Sequence, residues 1–345
     1  MSSRPSPATT LRGEDRVRTQ SSVVPIGTGL RKSIHSFVRA TAARRPPWRH
    51  VNTTPSNPEA PNETNGSHAD HLKFYSSALF TAATNGDLAA VTQALQDGAA
   101  INAKSKTNEG WTALMLAAQQ DKTECLEALL GRDADMEAKT ILGFTALRLA
   151  AQKGHAECLK ALLEKGADIE AKDNDGQTAL MLAAQQGETE CLNALLEKKA
   201  DMEAKDNKGW TALMFAAHWN TLECLKALLA KGAKIEAKSK TGQTALILAA
   251  KTGSFGANNA HVDSLEALLD KYADIDAKDK DGSTALMFAA QHFNRDSLKT
   301  LLARGADIDA KDNQGETALM RAQHSAKVSL IKKHSRECML ILKEW

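Results

Sequence analysis

The chain has 345 residues, 42% of them hydrophobic and 25% charged, with aromatics at only 4%. That balance suits a folded polypeptide rather than a wholly disordered one, and no apolar run approaches the roughly 18–20 residues that a membrane span requires. The net charge of +2 conceals an asymmetry: residues 1–50 carry ten Lys/Arg against two acids, Glu14 and Asp15, whereas acids slightly outnumber bases after residue 70.

Residues 1–70 are rich in Ser, Thr, Pro and Arg and carry no steady hydrophobic period. Pro46, Pro47, Pro55, Pro58 and Pro61 interrupt any helix, so the reading is a disordered basic tail followed by a polar linker over 52–67. Within it, Leu30–Ala40 spaces Leu30, Ile34, Phe37 and Val38 at helical intervals among basic residues. That pattern also fits a transit segment or a membrane-surface helix, which makes 30–49 the one stretch with a membrane alternative. Glu14 and Asp15 sit where transit peptides avoid acids, so the tail reading is preferred. No secretory h-region is visible, and the sequons at Asn52, Asn62 and Asn65 read as linker. Five cysteines, an odd number, fit a reducing compartment. The expectation is a cytoplasmic or nuclear protein, with a mitochondrial or plastid destination as the alternative.

After residue 70 the chain repeats itself. Gly-x-Thr-Ala-Leu begins at Gly110, Gly143, Gly176, Gly209, Gly242, Gly282 and Gly315, at intervals of 33 residues except for one of 40. A degenerate earlier copy begins near Ser77 and runs through Ala82 and Ala83. The reading is therefore an array over 71–345, with copies starting near 77, 110, 143, 176, 209, 242, 282 and 315.

Residues 176–208 show what one copy builds. Gly176 turns the chain, and the Thr178 hydroxyl is expected to accept from the free amides that open a helix. Leu180, Ala183 and Ala184 form a small-residue face on that helix. A second helix is expected from about Glu188, burying Cys191, Leu192, Leu195 and Leu196. Gly98, Gly166, Gly232 and Gly305 stand where a left-handed cap would end it, whereas Lys199 and Tyr272 replace Gly at that position. An extended run such as Ala167–Asp173 leads into the next turn. Neither helix reaches four turns, so stability must come from stacking.

A 33-residue unit of hairpin and two antiparallel helices resembles the ankyrin repeat family over about four fifths of the chain. The resemblance rests on Gly-x-Thr-Ala-Leu-x-x-Ala-Ala, on Gly154-His155, and on Leu162-Leu163-x-x-Gly166-Ala167-Asp168-Ile169. It implies an all-α solenoid of about seven to eight units with short hairpin turns, ending in a cap. The family's Thr-Pro-Leu-His is altered in every copy: Ala replaces Pro, and Met, Arg148 or Ile247 replaces His.

Catalytic and metal-binding chemistry finds little support. Cys125, Cys158, Cys191 and Cys224 fall 33 apart at one packing position and read as small hydrophobes; Cys338 lies outside the register. The turns at Asp173–Gly176 and Asp279–Gly282 resemble a calcium loop only faintly, since Ala171 and Leu182 stand where acids are required. No His-x-x-x-His, Cys-x-x-Cys, phosphate loop or nucleophile elbow occurs. The expectation is a non-enzymatic module with no cofactor and no metal, monomeric, showing no strong nucleic-acid signal and binding an unidentified protein partner. A tether acting through the basic tail, or a regulatory subunit of an enzyme, are the alternatives.

Positions that vary between copies point to the partner. In the family, the hairpin tips and the ends of the first helices line a concave groove. By that resemblance Trp111, Phe144, Trp210 and Trp219, with Ile141 and Leu142, form its apolar centre. Gln119, Gln120, Lys153, Gln185, Gln186 and His218 supply the polar surround. The 40-residue copy inserts Ser254–Ala260 between its helices, and the last copy loses its Ala-Ala pair and continues into a basic amphipathic segment.

Overall fold

The computed structural model describes residues 68–105, 109–252, 262–328 and 332–345, all within one unit of the chain, Pro61–Trp345. The expectations for residues 1–67 (tail, amphipathic stretch, sequons and linker) and for the 254–260 insertion lie outside the described residues. Among the described residues there are sixteen helices and no strand. They run in successive pairs: α1 (His68–Asn85) with α2 (Leu88–Gln96), α3 (Ala113–Gln119) with α4 (Thr123–Leu130), and α5 (Ala146–Lys153) with α6 (Ala156–Glu164). Next come α7 (Ala179–Gln186) with α8 (Thr189–Glu197), α9 (Ala212–Trp219) with α10 (Leu222–Ala230), and α11 (Ala245–Lys251) with α12 (Val262–Asp270). The series ends with α13 (Ala285–Gln291) and α14 (Arg295–Ala303), then α15 (Ala318–Val328) and α16 (Lys332–Glu344). The first helices of successive pairs stack in one row and the second helices in another, with the first row the closer packed.

The first helices α3, α5, α7, α9, α11 and α13 each open at a threonine held in extended backbone. The hydroxyls of Thr112, Thr145, Thr211, Thr244 and Thr284 accept the amide N–H three residues on, satisfying one of the unpaired amides that begin a helix. Thr178 departs from this: its backbone is the same, but its buried hydroxyl makes no cap bond. The six residues that follow each threonine are buried all round, as in Ala179–Ala184. A helix apolar on every side belongs between neighbours. The alanine pairs supply the close approach, because Ala150, Ala151, Ala183, Ala184, Ala216 and Ala217 are fully enclosed or nearly so.

The second helices bury one stripe: Cys191, Leu192, Ala194 and Leu195 in α8, with Leu196 half-buried. Gly98, Gly166, Gly232 and Gly305 follow the ends of α2, α6, α10 and α14 at φ between 88° and 93°. Lys199 and Tyr272 adopt φ 63° at the same position, so the backbone there is dictated by the repeat and not by the residue. His155, Thr221 and Asn294, at the starts of α6, α10 and α14, each bond to a carbonyl of the preceding pair: Gln119, Ala184 and Ala250 respectively.

The connections between pairs are tight turns without strands, so the expected hairpins reduce to two closing bonds, such as Asp173 N–H to the Gln177 carbonyl at 3.1 Å and Gly176 N–H to the Asp173 carbonyl at 3.0 Å. Carboxylates complete them: Asp173 Oδ1 accepts from the amides of Asp175 and Gln177, and Asp206, Asp279 and Asp312 repeat the arrangement. These acids bind their own backbone, which explains the calcium-like appearance of the turns. Three ladders at the repeat spacing join one connection to the next. Lys139, Lys172 and Lys205 donate to the carbonyls of Lys172, Lys205 and Lys238. Glu137, Glu170 and Glu203 accept from the amides of Asp168, Asp201 and Lys234. Tip amides at Ile141, Asn174, Asn207, Lys240, Lys280 and Asn313 donate to the preceding tip.

A candidate partner-binding surface

The tip-to-tip bonds bring the expected tip residues into one row. Ile141 N–H reaches the Glu109 carbonyl at 3.0 Å and Asn174 N–H reaches the Leu142 carbonyl at 3.2 Å. Ile141 and Leu142 therefore stand between two neighbouring tips with 65% and 38% of their surfaces open. Water is a poor environment for both, and the turn geometry does not require them, since other copies place Asn-Asp, Asn-Lys or Lys-Thr there. Trp111, Phe144 and Trp210, the residues after the turn glycines, are half-buried and packed against the core.

At the ends of the first helices, Gln119, Gln120 and Gln185 are half-buried, whereas Lys153 and Gln186 are exposed. Trp219 is 40% exposed. His218, expected in the polar surround, lies inside a ring cluster instead. Its ring centroid is 5.0 Å from that of Trp210 and 5.6 Å from that of Trp219, both edge-on, while Trp210 also meets Phe215 at 5.2 Å. Edge-to-face contacts of this kind stabilise by about 0.5–1.5 kcal/mol beyond burial. Burial pushes His218 down to about 4, helped by Lys251 and Lys208 and opposed by its bond to the Leu248 backbone. The imidazole is therefore neutral at pH 7 and packs edge-on against Trp210 and Trp219.

Four residues of this region were not among the expected site residues. Phe215 and Phe288 occupy the position that is Leu182 or Leu248 in other copies; Lys251 and His292 replace Gln at the helix end. Lys251 Nζ lies 5.5 Å from the Phe288 centroid, and Phe288 stacks on His292 at 6.5 Å. Burial lowers the Lys251 ammonium below the usual lysine range, offset in part by Asp279. His292 is held at about 4 by burial and by Lys251. The signal in the sequence was the departure from Gln-Gln at helix ends; what the sequence did not show is that the departures in three copies meet.

Two arginines anchor the acids of the turns. Arg148 stands where most copies have Met, pairs with Asp173, and stacks on Phe144 with its guanidinium carbon 3.6 Å from the ring centroid. Arg321 pairs with Asp312, donates to Ser283 and Gln291, and lies 5.9 Å from the Phe288 centroid.

Among the described residues, no group of three or more His, Cys, Asp or Glu is placed to hold a metal ion. Cys125, Cys158, Cys191, Cys224 and Cys338 are all buried and unbridged. Burial raises every one, Cys158 and Cys338 to about 11 and Cys191 to about 12, far from the depressed values of reactive thiolates. No described helix is long and apolar enough to cross a membrane.

A family model described as ankyrin repeats (three copies) matches residues 57–140, 133–206, 200–279 and 254–338. No curated protein matches the chain.

Proposed function

The chain belongs to the ankyrin repeat family, whose repeats mediate protein–protein interaction, and we propose that its seven to eight repeats over 71–345 form a non-enzymatic module that holds a protein partner along the tips and first-helix ends. The observation that carries this reading is the apolar row open to water on that side. Ile141, Leu142 and Trp219 are exposed, and Trp111, Phe144 and Trp210 are half-buried. Exposed apolar surface of this kind marks interaction sites, and tryptophan is enriched among the residues that dominate interface energy. The glutamines beside it both donate and accept, which suits a peptide backbone.

The test is capture of partners from native cell extract on the full chain, identification by mass spectrometry, and titration of the recovered partner against variants. Trp210→Ala and Trp219→Ala each weaken binding at least tenfold with helix content unchanged, consistent with the roughly 2 kcal/mol of a central aromatic. Full affinity combined with a much lower melting temperature would make these rings framework and remove the proposal.

A further inference from the structure

The groove is not uniform along its length. From α9 to α15 the rings are interleaved with cations: Lys208 Nζ lies 5.9 Å from the Trp210 centroid, Lys251 sits over Phe288, and the Arg321 guanidinium lies beyond it. Lys240 and Lys280 extend the series at the tips, with their side-chain stems beside Gly209 and Gly242 of the preceding copies. Helices α9, α11 and α13 contain no acid. The turn acids of these copies are engaged by backbone amides or by Arg321. Asp206 and Asp279 accept from the amides of their own turns, and Asp312 and Glu316 pair with Arg321, Glu316 also with His324; Asp281 is exposed at its tip.

Lys251 is the centre of the pattern. It is half-buried on α11, and among the described residues its ammonium makes no hydrogen bond and no ion pair within 4 Å. A partly desolvated ammonium in a frame of rings is held at a cost that an incoming carboxylate would remove. This argument rests on the groove reading above and narrows it to a partner chemistry.

We infer that the groove from Lys208 to Arg321 takes an extended acidic peptide segment of the partner, its carboxylates pairing with Lys251 and the tip lysines while its backbone and apolar side chains lie against Trp210 and Trp219. Charge complementarity selects the occupant. Nucleic acid is disfavoured because acids outnumber bases over residues 71–345, so the positive charge is a local strip rather than the broad field that a phosphate backbone requires.

The experiment selects binders from a random dodecapeptide display library on the immobilised full chain. It then measures recovered peptides by fluorescence anisotropy against wild type, Lys251→Gln, Trp219→Ala and the remote Lys231→Gln. Circular dichroism checks the folding of each variant, and a 12-nucleotide single-stranded DNA is titrated alongside. The expected result is enrichment of Asp/Glu-rich sequences, at least fivefold weaker binding to Lys251→Gln and to Trp219→Ala, and no change with Lys231→Gln. Enriched peptides that lack acids but still depend on Trp219 would overturn this inference and leave the groove reading standing. Peptides indifferent to both Lys251 and Trp219, or no enrichment at all, would overturn both. Equal losses with Lys251→Gln and Lys231→Gln would reduce the effect to net charge. DNA binding as tight as the peptide's, with the same dependence on Lys251, would assign the strip to a phosphate polymer instead.

Discussion

Arg148 Nη2 lies 2.7 Å from Asp173 Oδ2, with only 6% and 1% of the two side chains exposed. The contact is an ion pair without hydrogen-bond direction, since Asp173 Oδ2 and the Nε and Nη1 of Arg148 have no hydrogen-bond partner. It joins the helix of one repeat to the turn of the next and has no counterpart in the adjacent copy, where Met181 and a similarly buried Asp206 coexist. The carboxylate keeps both turn amides on Oδ1 with or without the cation, and only its Oδ2 faces Arg148. The guanidinium does need the carboxylate, as burial lowers its proton affinity and Asp173 restores part of it.

That asymmetry predicts unequal costs for breaking the pair. Arg148→Met should cost about 1 kcal/mol, since the next copy already places Met181 beside a buried Asp206 that is held by its turn amides alone. Asp173→Ala should cost about 3–5 kcal/mol, because it strands a buried charge and opens the turn. Urea unfolding of the two variants measures both, and equal losses would contradict the account.

The left-handed residues give a second prediction. Lys199 and Tyr272 both hold φ 63°, and Tyr272 is 93% exposed, so little packing is lost on truncation. Lys199→Gly and Tyr272→Gly should each stabilise by about 1 kcal/mol, the strain a side chain suffers there. Gly166→Ala should lose a similar amount through backbone alone, because nothing lies within 4 Å of an added Cβ. Melting temperatures moving in opposite directions for the two kinds of change would bear this out.

The two low-affinity histidines make stability depend on pH. Their values fall from the ordinary 6.5 to about 4 in the fold, so the unfolded chain binds more protons between those limits. Stability is then complete above pH 6.5 and declines as pH falls toward 4. Between pH 7 and 5 each histidine should remove about 2 kcal/mol. His218→Gln and His292→Gln, which copy the glutamines of neighbouring repeats, should each flatten that slope by roughly half. Urea midpoints across this range are the measurement, and an unchanged slope in both variants would reject the assignment.

Thiol chemistry supplies a fourth. All five cysteines are buried and their ionisation is raised by burial. A disulfide reagent at pH 8 should label none of them rapidly in the native protein and all five in denaturant. A fast native reaction at any one would indicate an opened or functional thiol.

Much of the fold was legible because its signals are local. Gly166 and Gly305 mark helix ends through their own φ, and Lys199 and Tyr272 were recognised as departures because the period names the position each occupies. Thr112, Thr145 and Thr244 cap the helices they precede, a choice made within four residues. Thr178, embedded in the same pentapeptide, leaves its cap bond unmade, so the motif alone does not settle the hydroxyl's orientation. The aromatic and glutamine positions were likewise picked out by comparing copies.

What the chain could not disclose by itself is which departures from the repeat meet across it. Lys251 and His292 belong to different copies, as do His218 and Lys251, and each looks like an isolated substitution. Stacking sets them side by side, removes water from around them, and leaves His218 neutral and Lys251 with its proton affinity lowered. The ladders of Lys172 and Glu170 are also invisible as bonds until one connection lies over the next. Periodicity, caps and turns depend on a residue's own backbone and nearest neighbours, so sequence determines them. Ionisation and the makeup of a surface depend on distance and desolvation between segments 33 or more residues apart, and only the packed array decides those.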